Sequence, residues 1–143
     1  MTVMQSEISE QPKAIERALH SNDAVIKGLV TKLRDSGVRH AFLAARGTSD
    51  NAATYAKYLI EITCGIPVTL AAPSVFTLYG GAVDLKNSLV LGISQSGQAL
   101  DVVQTLSSAK STGAITACIT NAPGSPLTEV SDFTLLCSAS DVV

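Results

Sequence analysis

One strand–turn–helix segment in the second half of the chain constrains the fold more than any other feature. Residues 89–93 form a short, almost wholly apolar run, which is typical of a strand buried on both faces of a parallel sheet. Residues 94–97 follow as a small turn of two serines, a glutamine and a glycine. The apolar residues then recur at helical spacing, which predicts a helix over 98–111. Because the free N–H groups of such a turn and the positive end of the helix dipole face one point, the segment predicts an anion site suited to phosphate.

Strand-like and helix-like segments alternate along the rest of the chain, which is typical of an α/β fold. We therefore predict a three-layer, flavodoxin-like five-stranded parallel sheet with helices on both faces and the strand order 2-1-3-4-5. Residues 1–37 are expected to form helices that pack on a single α/β domain spanning 38–143. The predicted strands are 38–45, 67–71, 89–93, 115–120 and 133–137, and the predicted helices are 7–20, a second that ends at Gly37, 49–63, 98–111 and the short segments 73–79 and 127–130.

The predicted helices have apolar sides. In the first helix, Pro12 is expected in the first turn, where its missing N–H does no harm, and Ile15 and Leu19 lie on the apolar side. In the helix over 49–63, the residues expected to face inward are Ala52, Ala56, Leu59 and Ile60.

Two hydroxyl-rich turns are expected to meet at the switch point of this sheet. The first and third strands are neighbours in the predicted order, and the chain leaves them in opposite directions, so a ligand site is expected outside their carboxyl ends. Residues 46–49 and 94–97 occupy those ends, and their coincidence indicates a phosphate site. Either turn alone has a simpler explanation, because Thr48 or Ser49 can cap a helix and Gly97 can serve a tight strand-to-helix connection.

Composition excludes several classes of function. The net charge is −2, lysine and arginine do not cluster, and aromatic residues make up 4%, which argues against a nucleic-acid surface. No apolar run approaches the roughly 20 residues of a membrane span, and the chain does not open with a signal segment, so we expect a cytoplasmic protein without membrane contact. Cys64, Cys118 and Cys137 lack metal-ligand spacing and are expected to be buried small hydrophobes. Neither a metal nor a cofactor is predicted.

The chain resembles the sugar isomerase, or SIS, domain family from residue 7 to its end. The resemblance is closest to the isomerase part of glutamine–fructose-6-phosphate aminotransferases and to glucosamine-6-phosphate deaminase-like proteins. The motifs that carry it are Glu10-Gln11-Pro12, Gly47-Thr48-Ser49, Ser94-Gln95-Ser96-Gly97 and Asn121-Ala122-Pro123-Gly124-Ser125.

This resemblance implies a phosphosugar ligand such as fructose 6-phosphate or glucosamine 6-phosphate. The implied phosphate ligands are Ser94, Gln95, Ser96 and Gly97, and the implied sugar contacts are Gly47, Thr48 and Ser49. Two residues depart from the family pattern: Ala99 stands where a threonine is usual, and Arg46 stands where a small residue or cysteine is usual. Arg46 either supplies a cation to the phosphate or pairs with Asp50, and the pairing is the preferred interpretation.

No residue is assigned a catalytic role. Members of this type carry two SIS domains, with the acid–base residues mainly in the second, and only the first is expected here. Asp50 and Asp101 occupy first turns of helices, where acids usually complement the helix dipole. The leading hypothesis is thus a phosphosugar-binding domain of an amino-sugar phosphate isomerase or aminotransferase, expected to form a homodimer. The alternatives are a non-catalytic phosphosugar-sensing module and a flavodoxin-like domain without a sugar site.

Overall fold

A five-stranded, wholly parallel sheet forms the centre of the computed structural model, which describes residues 2–139. The strands lie in the order β2-β1-β3-β4-β5, which confirms the predicted flavodoxin-like fold class. They are β1 (His40–Ala45), β2 (Val68–Leu70), β3 (Ser88–Ile93), β4 (Ile115–Thr120) and β5 (Phe133–Leu136).

Helices cover both faces of the sheet. Alternate residues of β1 point to opposite sides, so that Leu43 joins a core with Leu29 and Ala53, whereas Phe42 joins a core with Leu106. The helices are α1 (Val3–Ser21), α2 (Asp23–Asp35), α3 (Thr48–Cys64), α4 (Ser74–Thr77), α5 (Leu100–Ser111) and α6 (Pro126–Glu129). Helices α2 and α3 therefore contribute to one core, and α5 and α6 contribute to the other.

Gly92 brings α5 close to β3 just before the 94–97 turn. A Cβ atom at this position would stand 2.9 Å from Leu106 Cδ1 and 3.1 Å from Val102 Cγ1. Both leucine and valine are fully buried, so there is little room for them to move. The absence of a side chain at position 92 thus sets how closely the helix approaches the strand.

Helix α1 differs from its prediction at its start and on its apolar side. It begins at Val3 because Thr2 and Gln5 form a capping box: Gln5 N–H donates to Thr2 Oγ1 at 3.2 Å, and Thr2 N–H donates to Gln5 Oε1 at 2.9 Å. Pro12 consequently lies inside the helix and not in its first turn. Ile15 and Leu19 remain 60% and 65% exposed, so the apolar side of α1 is not buried within the described chain.

The inward face of α3 differs from the prediction at two of its four positions. Ala53 is fully buried, whereas Ala52, expected to face inward, is exposed. Leu59, also predicted inward, is 46% exposed, whereas Ala56 and Ile60 pack against the core as expected. The positions that pack against the core are therefore spaced i, i+3 and i+7, which is one helical face.

The cysteines occupy three different environments. Cys118 is buried, as predicted, and Cys137 is partly buried, but Cys64 is exposed, because it ends α3 next to the C-cap residue Gly65. Residues 2–139 contain no cluster of three metal-ligating side chains. Over the same range, no helix combines the length and apolar character that crossing a membrane requires.

Candidate functional site

The two hydroxyl-rich turns start side by side at the carboxyl edge of the sheet. Ala45, the last residue of β1, is paired with Ile93, the last residue of β3. Arg46 and Ser94 therefore leave the sheet at the same level, on strands that are about 4.8 Å apart in a parallel sheet. The 46–49 turn leads into α3 and the 94–97 turn leads into α5, as the predicted switch point requires.

The 94–97 turn is a compact loop that closes on itself. Ser94 N–H donates to Ile119 O at 3.1 Å, and Gly97 N–H donates back to Ser94 O at 3.2 Å. Gly97 has φ +63°, a conformation that favours glycine. Helix α5 begins at Leu100, two residues later than predicted, because the turn continues through Gln98, whose N–H donates to Ser96 Oγ at 3.3 Å.

Several donors of this turn have no partner within residues 2–139. The backbone N–H groups of Gln95, Ser96 and Ala99 donate no hydrogen bond there, and the hydroxyl of Ser94 makes none. Ala99 is the N-cap of α5 and forms no side-chain cap, and the carboxylate in the first turn, Asp101, accepts from Val102 N at 2.9 Å. A loop with unpaired N–H groups at a helix N-terminus is chemically suited to an anion.

The end of β4, the loop that follows it and helix α6 form hydrogen bonds to the 94–97 turn. Gln95 O accepts hydrogen bonds from Asn121 N at 2.9 Å and from Thr120 Oγ1 at 3.1 Å. Leu127 N, in α6, donates to Gly97 O at 3.1 Å. These carbonyl groups therefore point toward β4 and α6. Sequence reasoning missed this support, although the resemblance of residues 121–125 to the family's fourth loop was a signal for it.

Ser125 completes the support and occupies the space beside Gly97. It is 4% exposed, and its buried Oγ has no hydrogen-bond partner within the described residues. A Cβ atom at Gly97 would collide with that Oγ and stand 2.5 Å from Ser125 Cβ. Position 97 therefore requires glycine for two reasons, its positive φ and the close approach of Ser125.

The 46–49 turn presents two hydroxyls near the edge of the sheet. Gly47 is the N-cap of α3 with φ +59° and ψ −130°, and it provides no side-chain cap. The predicted capping by Thr48 or Ser49 is wrong, because the helix already begins at Thr48. Thr48 is exposed and Ser49 half-buried, and neither hydroxyl makes a hydrogen bond in the described part of the chain. Both groups are thus available to a ligand.

An ion pair joins the 46–49 turn to the first turn of α5. Arg46 Nη1 lies 2.9 Å from Asp101 Oδ2, so the predicted pairing of Arg46 with Asp50 is wrong. The arginine reaches across to the first turn of α5, whereas Asp50 lies in the first turn of α3 and is exposed. The side chain of Asp101 is 23% exposed, and its Oδ1 accepts from Val102 N at 2.9 Å.

A comparison with known protein families covers both turns of this site. The model of the SIS domain matches residues 32–142. The chain belongs to the SIS domain family. It is 39% identical over 132 residues to a glutamine–fructose-6-phosphate aminotransferase (isomerizing) from Aquifex aeolicus, and the alignment covers 92% of this chain.

Solved structures agree with this SIS assignment. A candidate phosphosugar isomerase from Silicibacter pomeroyi superposes with a TM-score of 0.95 at 34% identity over 99% of this chain. The C-terminal domain of a glucosamine-fructose-6-phosphate aminotransferase from Francisella tularensis gives 0.82 at 29% identity over 98%. This chain spans 43% and 40% of the length of those two chains and 22% of the Aquifex protein.

Proposed function

We propose that this SIS domain binds a phosphosugar at the carboxyl edge of its sheet. The single observation that carries the proposal is the set of unpaired N–H groups of Gln95, Ser96 and Ala99 at the N-terminus of α5. A phosphate group would accept hydrogen bonds from these donors and would lie at the positive end of the helix dipole. The proposed phosphate ligands are Ser94, Gln95, Ser96 and Gly97.

The hydroxyls add to the proposed phosphate site. Ser94 lies at the start of the turn and has no competing hydrogen bond from its hydroxyl in the described chain, and Ser96 Oγ is engaged only as an acceptor from Gln98 N. Hydrogen bonds between such hydroxyls and a charged phosphate contribute about 1.5–3 kcal/mol each. The alanine at position 99 withholds one donor of this kind but leaves its backbone N–H in place.

The sugar is proposed to lie over the 46–49 turn. Gly47, Thr48 and Ser49 follow a strand adjacent to β3, so their groups are within reach of a ligand whose phosphate lies on the 94–97 turn. Free hydroxyls and exposed backbone of this kind suit the hydroxyl groups of a sugar. The names of the relatives favour fructose 6-phosphate as the ligand, and glucosamine 6-phosphate is the second candidate that we propose.

We propose that residues 38–143 form the SIS domain and that residues 1–37 pack on it. We also propose that this unit binds the phosphosugar without catalysing its conversion. Aldose–ketose isomerisation needs a general base within hydrogen-bond reach of the reacting carbon's proton. The nearby carboxylates are Asp50 and Asp101, and Asp101 is held in an ion pair. The proposed role is therefore that of a ligand-binding part of an amino-sugar phosphate isomerase or aminotransferase. The cytoplasmic location remains a prediction.

Calorimetric titration with fructose 6-phosphate and glucosamine 6-phosphate tests the binding proposal. Unphosphorylated fructose and glucosamine serve as ligand controls, and we expect heat only from the phosphorylated sugars. The Ser94→Ala/Ser96→Ala variant is expected to weaken binding by about tenfold or more per hydroxyl. Ser6→Ala/Ser107→Ala, which alters two exposed serines remote from the site, should bind as the unaltered protein does. Equal binding by all three proteins would refute the assigned phosphate site.

We also propose that the chain forms a homodimer through the apolar side of α1. Ile15 and Leu19 are exposed on that helix and line a groove of about 430 Å³ together with Leu135 and Leu136 of β5. Covering such side chains stabilises association by about 25 cal/mol per Å² of apolar surface. Sedimentation equilibrium should give twice the chain mass, and Ile15→Glu/Leu19→Glu should give a monomer, whereas Lys13→Glu should not. A monomeric unaltered chain would refute this proposal.

A further inference from the structure

The side chains around the proposed phosphate site carry more negative than positive charge, which is unfavourable for an anion. Among the loops that follow the strands within residues 2–139, only Arg46 carries a positive side chain. Two carboxylates lie in the first turns of the helices that face the site, Asp50 in α3 and Asp101 in α5. A dianionic phosphate would therefore meet more negative than positive side-chain charge at this edge.

Asp101 is the more important of the two carboxylates. It is four residues beyond Gly97 and lies in the first turn of the same helix whose N-terminus would hold the anion. The exposed fraction of its side chain is only 23%, so solvent screens its charge less than that of a fully exposed group. An uncompensated carboxylate at this point would oppose the helix dipole's attraction for phosphate.

Arg46 compensates that charge from the neighbouring strand. Its Nη1 lies 2.9 Å from Asp101 Oδ2, and the remaining carboxylate oxygen accepts from Val102 N. Arg46 itself is 63% exposed, so the charge it brings is only partly buried and needs no further partner. The ion pair thus leaves a neutral unit beside the 94–97 turn.

We propose that Arg46 determines the affinity for the phosphate by neutralising Asp101, and not by contacting the ligand. This inference rests on the proposed function, because it assumes that the phosphate lies on the 94–97 turn. Arg46 is therefore a positioning residue whose effect passes through Asp101. The proposal separates two uses of one arginine: a direct ligand contact would be lost whenever the arginine is removed, whereas neutralisation is needed only while Asp101 carries charge.

A set of single and double variants distinguishes these uses, with fructose 6-phosphate as the probe in low-salt buffer. Arg46→Gln is expected to weaken binding by about tenfold in this buffer, where salt screens the uncompensated charge of Asp101 least. Arg46→Lys should stay within about threefold of the unaltered protein, because it keeps the charge. Asp101→Asn should bind at least as tightly as the unaltered protein. Arg46→Gln/Asp101→Asn should recover to within about threefold of it.

Two further measurements separate the electrostatic effect from a structural one. The deficit of Arg46→Gln should shrink as salt rises toward 1 M, where the screening length is about 3 Å. Lys32→Gln, which removes an exposed charge in the last turn of α2, should bind normally. Thermal unfolding of every variant verifies that the fold is retained.

The outcomes that overturn the inference differ from those that overturn the proposed function. A double variant as weak as Arg46→Gln would mean that the arginine contacts the ligand directly. Unchanged binding by Arg46→Gln would mean that the ion pair has no role in affinity. In both cases the proposed function stands, whereas absence of fructose 6-phosphate binding by the unaltered chain would overturn the proposed function and this inference together.

Discussion

Ser125 fills the space that a side chain at Gly97 would need. The two residues come from different loops, one after β4 and one after β3, and they meet where the 94–97 turn passes closest to α6. The contact restricts the turn on the side of α6, whereas the N–H groups of Gln95, Ser96 and Ala99 donate no hydrogen bond within residues 2–139. The shape of the turn is therefore determined as much by the β4–α6 loop as by its own residues.

We expect Gly97→Ala to destabilise the fold strongly. The substitution forces alanine to adopt φ +63° and places its Cβ against Ser125, which together cost about 2–4 kcal/mol. Gly124→Ala is the matched control, because Gly124 has φ +73° but no atom lies within 4 Å of the place that its Cβ would take. Urea unfolding should show a clearly larger loss for Gly97→Ala, and equal losses would contradict the role given to Ser125.

Ser125→Ala is expected to raise stability by about 1 kcal/mol. The Ser125 hydroxyl is buried without a partner in the described chain, and an unsatisfied buried polar group costs about 1–3 kcal/mol. Ser131→Ala provides the contrast, since Ser131 Oγ donates to Leu127 O at 2.7 Å and its loss should destabilise. Thermal unfolding of both variants checks the opposite signs, and destabilisation by Ser125→Ala would reveal a partner for this hydroxyl.

Part of the stability should be lost in acid through Asp132. Burial raises the pKa of this carboxyl, but hydrogen bonds from Lys110 and Thr116 outweigh that effect and hold the pKa below its ordinary value of 3.8. A depressed pKa in the folded state stabilises the protein above the ordinary value, and this contribution is lost as the pH falls below it. The contacts are 2.9 Å to Lys110 Nζ and 3.0 Å to Thr116 N.

Asp132→Asn should therefore flatten the acid limb of the stability curve. We expect the free energy of unfolding of the unaltered protein to fall more steeply below about pH 4 than that of the variant. Asp35→Asn is the control, because Asp35 is exposed at the end of α2 and makes no ion pair in the described chain. Identical slopes for the unaltered protein and Asp132→Asn would contradict the assignment.

The three thiols should react with a soluble alkylating reagent in a fixed order. Cys64 is exposed and should react first, whereas Cys118 is fully buried and should react only on unfolding. Burial raises the pKa of the Cys137 thiol, so its reaction should require a higher pH than that of an exposed cysteine. Mass spectrometry after timed labelling gives the order, and Cys64→Ser should remove the fast phase. Rapid labelling of Cys118 would contradict the described core.

The strands were predictable because each lies in a short, mostly apolar run of the sequence. β4 occupies residues 115–120 as predicted, and the order of all five strands follows from the rule for parallel α/β sheets. The location of the two turns at one edge follows from the same rule. These features depend on runs of apolar residues, and such runs can be identified in a single sequence.

Side-chain partners across elements were not predictable from the sequence. Pairing of Arg46 with Asp50 is plausible in sequence, but the arginine reaches Asp101 on another helix. Ala52 and Leu59 of α3 were predicted to face inward but are exposed, because the inward side depends on how the helix lies on the sheet. The contact of Ser125 with Gly97 joins residues from two loops, and no pattern along the chain encodes it.

The donors proposed for the anion are main-chain groups, and this has a consequence for how such a site can change. Replacing a side chain cannot remove the N–H of Gln95, Ser96 or Ala99; only proline or a different path of the chain can. Substitutions can therefore exchange the hydroxyl side chains around the site, while the main-chain donors proposed to bind the anion are retained. Ala99, where the family pattern has threonine, is such an exchange: it removes one hydroxyl donor and leaves the main-chain N–H in place.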